Sequence, residues 1–356
     1  MNLSAQPPAK AAPSASSAPS ATPQSSSAPT PTPTPTTRAL IDSMDSADLK
    51  EAIQLLKNNY IKPDALNETE LSRAAFEGIL TRLGRGVILL SNAGAEPAAP
   101  FYGEILEGHI AYLRLGALNR ANLDALDANL QTLAPKKVDA AVLDFRASPA
   151  TNDFPLASEF AKRFCPKDKP LFTLRKTTAR QERTFTSERD PTYNGLTIIL
   201  ADGDTTGAAE AVAGVIRIYD KALIIGQQTA GRAVEYSDLK LPSGKVLRVA
   251  VGEAVLPEGH PLFPGGLKPD VPVEMAAVDK REIFQTSLEK GMTPFVVENS
   301  RPHLNEAALI SGRNPELEAM EAAQRKNRSP EKTGVHDAVL QRALDVVTSI
   351  GIFQKK

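Results

Sequence analysis

Between Leu123 and Ile225, short apolar runs of strand length alternate with segments whose apolar residues recur at helical spacing. The run Val138-Asp-Ala-Ala-Val-Leu-Asp-Phe145 is of the kind buried on both faces of a parallel sheet, and before it Leu123, Leu126, Leu130 and Leu133 mark an amphipathic helix closed by Pro135. A helix over 155–164, strands at 171–174 and 196–201, a helix over 207–219 and a strand at 222–225 continue the series. Such alternation requires right-handed crossovers and predicts an α/β fold around a mostly parallel sheet. Two hairpins flank it. Residues 101–106 and 109–115 meet at Glu107-Gly108, and residues 234–241 and 245–251 meet at Pro242-Ser243-Gly244.

Upstream, Ser46 is positioned to cap a helix carrying Leu49, Ile53, Leu56 and Tyr60. Asn67 and Glu70 form a capping-box pattern ahead of Leu71, Ala75 and Ile79, and the two helices are expected to pair as a hairpin. Residues 1–37 hold nine of the 28 prolines and a single charge, Lys10, among Ala, Ser and Thr. A segment this poor in apolar surface is expected to be disordered, either a flexible spacer or a tether between a signal or lipid anchor and the folded body. Residues 313–328 are charged and read as a solvated excursion. A last helix carries Val339, Leu340, Ala343, Leu344, Val347 and Ile350 and is expected to pack on its own core, a dimer contact being the alternative.

Composition removes several functions. Forty-one basic residues against 42 acidic ones, scattered rather than in blocks, give no basis for a nucleic-acid partner. One cysteine, Cys165, cannot form an internal disulfide, and His109, His260, His303 and His336 are too dispersed for a metal cluster, so neither metal nor cofactor is expected. No run approaches the ~18 apolar residues of a membrane span, and the first residues have no hydrophobic core of a signal peptide. Pro264-Gly265-Gly266 lacks the Lys-Ser/Thr that a phosphate loop needs.

The order of segments then becomes specific. The stretch from Leu241-Pro-Ser-Gly through Pro257-Glu-Gly259, followed by Gly266-Leu-Lys-Pro-Asp-Val-Pro-Val273, resembles the end of the core domain of the carboxy-terminal processing, or tail-specific, serine peptidases. Upstream, Ile110-Ala-Tyr-Leu-Arg-Leu115, Val142-Leu-Asp-Phe-Arg146, Ala209-Glu-Ala-Val-Ala-Gly214 and Ile224-Ile-Gly-Gln-Gln-Thr-Ala-Gly231 are similar to the family's strands and helix in that order. The resemblance implies a tail-specific protease core with a crotonase-like ββα superhelix, an N-terminal helical hairpin and C-terminal helices. It divides the chain into a disordered segment (1–38), a helical hairpin (39–84), a short linker where the family has a PDZ domain (85–100), the core (101–280) and a C-terminal helical region (281–356).

The family pairs a serine with a lysine of lowered pKa, often held by a glutamine, and cradles the oxyanion in backbone N–H groups. In this register the serine position is Gly207, the lysine position 25 residues on is Arg232, and the glutamine position is Tyr236. The family's Asn-Xaa-Pro-Gly-Gly turn has become Ala147-Ser-Pro-Ala-Thr151. Glycine has nothing to attack with, and a guanidinium is not a base at neutral pH. Thr205, Thr206, Ser148 and Ser237 are the neighbouring hydroxyls, Thr205 and Thr206 reading as helix caps before Ala208, and Glu235 is the neighbouring acid.

The expectation is therefore a peptidase-like protein without catalysis that binds a polypeptide or protein carboxy terminus, with Ala150, Thr151, Thr206, Gly207, Ala208 and Arg232 as candidate contacts. Arg232 either holds a carboxylate or forms a structural salt bridge to Glu210, Glu235 or another acid. Two alternatives stand beside this: an active serine- or threonine-type endopeptidase with a rearranged site built on Thr206 or Ser148, and a structural role in envelope assembly. The family points to the periplasm or cell envelope, and homo-oligomer formation is left open.

Overall fold

Strands buried on both faces need apolar side chains in both directions, and Ala140–Asp144 meets that demand with every residue buried. In the computed structural model, which describes residues 36–91, 99–133, 136, 138–220, 222–296 and 335–354, this segment is β4 of a six-stranded sheet. Its order is β12-β8-β7-β4-β3-β2, where β2 is Tyr102–Leu106, β3 Ile110–Arg114, β7 Leu196–Ala201, β8 Leu223–Gly226 and β12 Val271–Pro272. All neighbours are parallel except β2 and β3, the hairpin read around Glu107 and Gly108, which both take positive φ.

Alternation along the strands divides the core. Ala111 and Leu113 of β3 and Ala141 and Leu143 of β4 face helices α4 (Arg120–Leu133), α5 (Phe154–Ala161) and α6 (Ala208–Asp220). Ile110, Tyr112 and Val142 face the other way, with Val339, Leu340, Ala343 and Leu344 of the last described helix, α8 (Ala338–Gln354), and Ile283 of α7 (Ala277–Lys290). Thus α8 packs on its own core, as its pattern predicts. Cys165 is buried and forms no disulfide.

The second sheet departs from the sequence reading. The strand expected at 171–174 as part of the parallel series is β5 (Pro170–Lys176), and it lies in an antiparallel sheet. Its partners are β6 (Gln181–Thr186) and β10 (Val246–Leu256), and β10 also pairs with β1 (Val87–Leu90), β9 (Val234–Lys240) and β11 (His260–Pro261). Only Phe185 of β6 is buried, so its polar outer face conceals the strand. Strand β1 occupies part of the stretch expected to be linker, because Val87, Leu89 and Leu90 pair with the apolar Val249, Leu247 and Val246 across the ladder, with Ile88 opposite Arg248.

The chain divides into two units, residues 1–74 and 75–356. In the first, α1 (Thr37–Asp42) begins inside the segment expected to be disordered, since Thr36 caps it. Helix α2 (Ser46–Asn59) is capped by Asp45 rather than Ser46: its carboxylate accepts from the N–H groups of Ala47 and Asp48. Asn67 does cap α3 (Glu68–Leu83), which runs on into the second unit, through Glu70 N. The apolar stripe of α2 stays exposed. The rest of the segment expected to be disordered, the residues around 313–328 and Pro135 lie outside the described residues. No described helix is long and apolar enough to cross a membrane.

One buried ionic cluster joins α8 to the sheet. The Arg146 guanidinium, just beyond β4, donates to Asp144 at 2.7 and 3.0 Å and to both carboxylate oxygens of Asp337 at 2.8 and 3.0 Å. Tyr112 Oη donates to Asp144 at 2.6 Å, and Asp337 also caps α8 through Leu340 N. Burial alone would raise the Asp144 carboxyl, but the Arg146 charge and the hydrogen bonds from Arg146 and Tyr112 outweigh it and hold it below the ordinary 3.8. Its contribution to stability is therefore complete above that value and is lost as pH falls through the lowered one. Asp337→Ala, which leaves the guanidinium half-paired in the interior, should cost about 3–5 kcal/mol, seen as a lower denaturant midpoint at neutral pH.

Candidate functional site

The site lies where the loop from β7 to α6 meets the turn after β4. Thr205 fixes that loop: its hydroxyl donates to Phe145 O and accepts from Asp202 N, both at 3.1 Å, and its carbonyl accepts from Ala230 N. Thr205 is thus a loop staple and not the helix cap it was expected to be. The cap is Gly207, whose N–H donates back to the Glu210 carboxylate at 3.1 Å, half of a capping box. Gly207 has φ +66°, and a Cβ there would stand 3.2 Å from both N and O of Thr151 and 3.4 Å from Ala150 Cα. This close approach brings Gly207 against Ala150 and Thr151.

Glu210 organises the remainder. Its Oε1 accepts from Gly207 N and, at 2.7 Å, from Arg232 N, while Oε2 accepts from Gly231 N at 2.7 Å and Thr229 Oγ1 at 2.6 Å. Four donors from two segments converge on one buried carboxylate, so the start of α6 and the 229–232 loop move as one body. Burial raises the Glu210 carboxyl, and these hydrogen bonds offset only part of that rise.

Arg232 therefore meets Glu210 through its backbone. Its exposed guanidinium makes no ion pair among the described residues, because Glu210 is already satisfied and Glu235 is taken by Lys176 at 2.9 Å. The expected salt bridge is not formed. Tyr236 donates its hydroxyl to Arg85 O at 2.8 Å, and its backbone is paired by the Asn152 side chain. Burial raises the Tyr236 phenol against the lowering effect of Arg232, Arg248 and Arg85. Ser237 lies within the β9–β10 ladder opposite Val249.

Ser148 and Thr206 bear buried hydroxyls with no hydrogen-bond partner among the described residues. A nucleophilic hydroxyl requires a base within hydrogen-bond reach, and among the described residues none touches them. Lys280, a buried lysine that the sequence reading missed, donates to Arg146 O and to the carboxylates of Asp202 and Asp204. Bound to two acids it serves as a cation, anchoring the stretch that leads into the Ser148 turn. Its only sequence signal is a lysine on a helix, which usually marks a solvated face. Among the described residues no three His, Cys, Asp or Glu side chains gather as metal ligands.

Residues 109–273 match the model of peptidase family S41, from the hairpin at β3 through β12. The match covers a little under half of the chain. The chain is 22% identical over 174 residues to a carboxyl-terminal-processing protease of Synechocystis sp., covering 49% of this chain and 40% of that one. It is 21% identical over 233 residues to the carboxy-terminal processing protease CtpA of Bacillus subtilis, covering 65% and 47%. The chain thus spans less than half the length of these two relatives. Among solved structures, that of a putative peptidase from Parabacteroides merdae superposes with a TM-score of 0.51 at 16% identity, over 67% of this chain and 85% of that one. That likeness is one of fold. Within the S41 segment lie Gly207, Glu210 and Arg232, while Lys280 and Asp337, which anchor it from outside, lie beyond it.

Glu210→Gln replaces one acceptor oxygen by an NH2 group facing N–H donors, and should cost about 1–3 kcal/mol. Because the folded-state pKa of Glu210 lies above the ordinary 4.5, its contribution to stability falls as pH rises through the raised value. Thermal melts over that interval should show the slope in the wild type and its loss in Glu210→Gln.

Proposed function

We propose that this chain carries a retired S41 peptidase core that binds extended polypeptide without cleaving it. The observation that carries the reading is Gly207: at the position where the resemblance puts the nucleophile there is no side chain, and the backbone is left-handed and pressed against Thr151. Arg232 stands at the base position with an exposed guanidinium, which cannot accept a proton at neutral pH. Tyr236 stands where a glutamine would orient the base, and Ala150-Thr151 stands where two glycines would shape the oxyanion turn. Together these remove the nucleophile, the base, its orienting group and the flexible donor turn.

The proteases to which the chain is similar are named for processing carboxy termini, and that supports polypeptide as the ligand class. In this reading no PDZ domain intervenes between α3 and the core, so recognition falls to the core groove and its sheet edges. An export compartment, periplasm or cell envelope, belongs to the same reading. The hydroxyls of Ser148 and Thr206, unpartnered among the described residues, favour a rearranged endopeptidase as the second reading, and the lack of a described base beside either weighs against it.

The test is incubation of the purified protein with an unfolded, carboxy-terminally labelled polypeptide, following cleavage and bound fraction together. The expected result is binding without cleavage. Cleavage abolished by Thr206→Ala or Ser148→Ala would overturn the reading in favour of the rearranged site, and neither binding nor cleavage would move it to a structural role. Restoring hydrolysis should require Gly207→Ser, Arg232→Lys and Tyr236→Gln, with Ala150→Gly and Thr151→Gly so that the turn can yield to the new Cβ.

A further inference from the structure

Strand β9 pairs with β10 alone among the described strands, which leaves its other edge outside the ladder. The register sets which residues face that edge. Ala250 opposes Tyr236, Arg248 opposes Asp238 and Val246 opposes Lys240, and strand alternation turns the backbone groups of these three β9 residues the same way. One side chain meets them. The Asn152 Oδ1 accepts from Tyr236 N at 3.4 Å, and Asn152 Nδ2 donates to Tyr236 O at 3.3 Å.

A carboxamide offers the same donor and acceptor as a peptide group, and this one makes the two-point contact that an added antiparallel strand would make at Tyr236. Both bonds are long, so exchanging them for a strand's own costs little. We infer that Asn152 is an internal stand-in for a peptide unit: the outer edge of β9 is a docking edge for an extended polypeptide, kept occupied at Tyr236 until an incoming strand displaces the carboxamide.

The charges around the edge suit an acidic or carboxylate-ended segment. Arg85, Arg232 and Arg248 all act on the Tyr236 phenol, and Arg248 is already neutralised by Asp238. The Arg232 guanidinium stays exposed at the start of β9. A chain antiparallel to β9 directs its carboxy-terminal end toward it. This inference rests on the reading of the core as a polypeptide-binding one and adds to it the edge, the register and the group that must leave.

The experiment measures binding of a fluorescent, unstructured peptide with a free terminal carboxylate by anisotropy, to the wild-type full chain and to Asn152→Ala and Asn152→Ser. The stand-in predicts that both variants bind tighter, about 3–10-fold for two neutral hydrogen bonds no longer displaced. Amide exchange of the wild type is the second readout and needs no variant: peptide should slow exchange at Asp238 and Lys240 and leave Tyr236 protected. Equal or weaker binding by the folded variants, with the wild type binding, would overturn the stand-in and leave the polypeptide reading intact. Protection elsewhere with Asp238 and Lys240 unchanged would overturn the edge. No binding to any of the three proteins would overturn both the inference and the reading beneath it.

Discussion

A guanidinium with no access to water sets the terms for the rest of the molecule. Arg146 lies at the end of the central strand β4, and its charge is tolerable there only because Asp144 and Asp337 surround it with four hydrogen bonds. A hydrophobic replacement of similar shape could be as stable. What the ion cluster adds is geometry: Asp337 must sit at the end of the parallel sheet, which fixes the start of α8 and the face it covers. The Arg146 carbonyl in turn receives Lys280, whose ammonium also binds Asp202 at the end of β7. The two strand ends that open into the site are therefore held by charges supplied from outside the S41 segment.

Glu210 plays the corresponding part within the site. A carboxylate satisfied by three backbone N–H groups and one hydroxyl needs no cation, and that is why Arg232 can leave its side chain in solvent while its backbone is fixed. The start of α6 and the 229–232 loop are thus held together independently of the side chains at 207 and 232. Gly207 adapts to this arrangement in a specific way, because its left-handed backbone admits an approach to Thr151 that any side chain would crowd.

The parallel sheet was legible because strands buried on both faces have to be written in apolar residues: β3, β4, β7 and β8 all show as runs. Strand β6 was not, since one buried phenylalanine among five polar residues carries no period. The assignment of β5 to the parallel series followed from that omission, for its antiparallel partner was unseen. At the site, Gly207, Arg232 and Tyr236 were singled out through resemblance, but their partners were not. An ion pair for Arg232 was a reasonable expectation for a lone guanidinium near an acid, and it failed because backbone donors had already satisfied that acid. Asn152, Lys280 and Asp337 were invisible for a common reason: each acts across the fold on a residue 84 to 191 positions away, and such pairings leave no local pattern.

The separation between Arg146 and Asp337 also bears on how the chain comes to be folded. Synthesis delivers Arg146 long before the second of its carboxylates, and until then β4 would end in a cation with half its neutralisation while Ile110, Tyr112 and Val142 lack the helix that covers them. Contacts of such long sequence range close late and slowly. The nascent chain therefore passes through a stage with one sheet face only partly covered, a stage prone to association with other exposed chains. Completion of α8 is the event that ends that exposure, which makes this helix the fold's closing latch as well as part of its core.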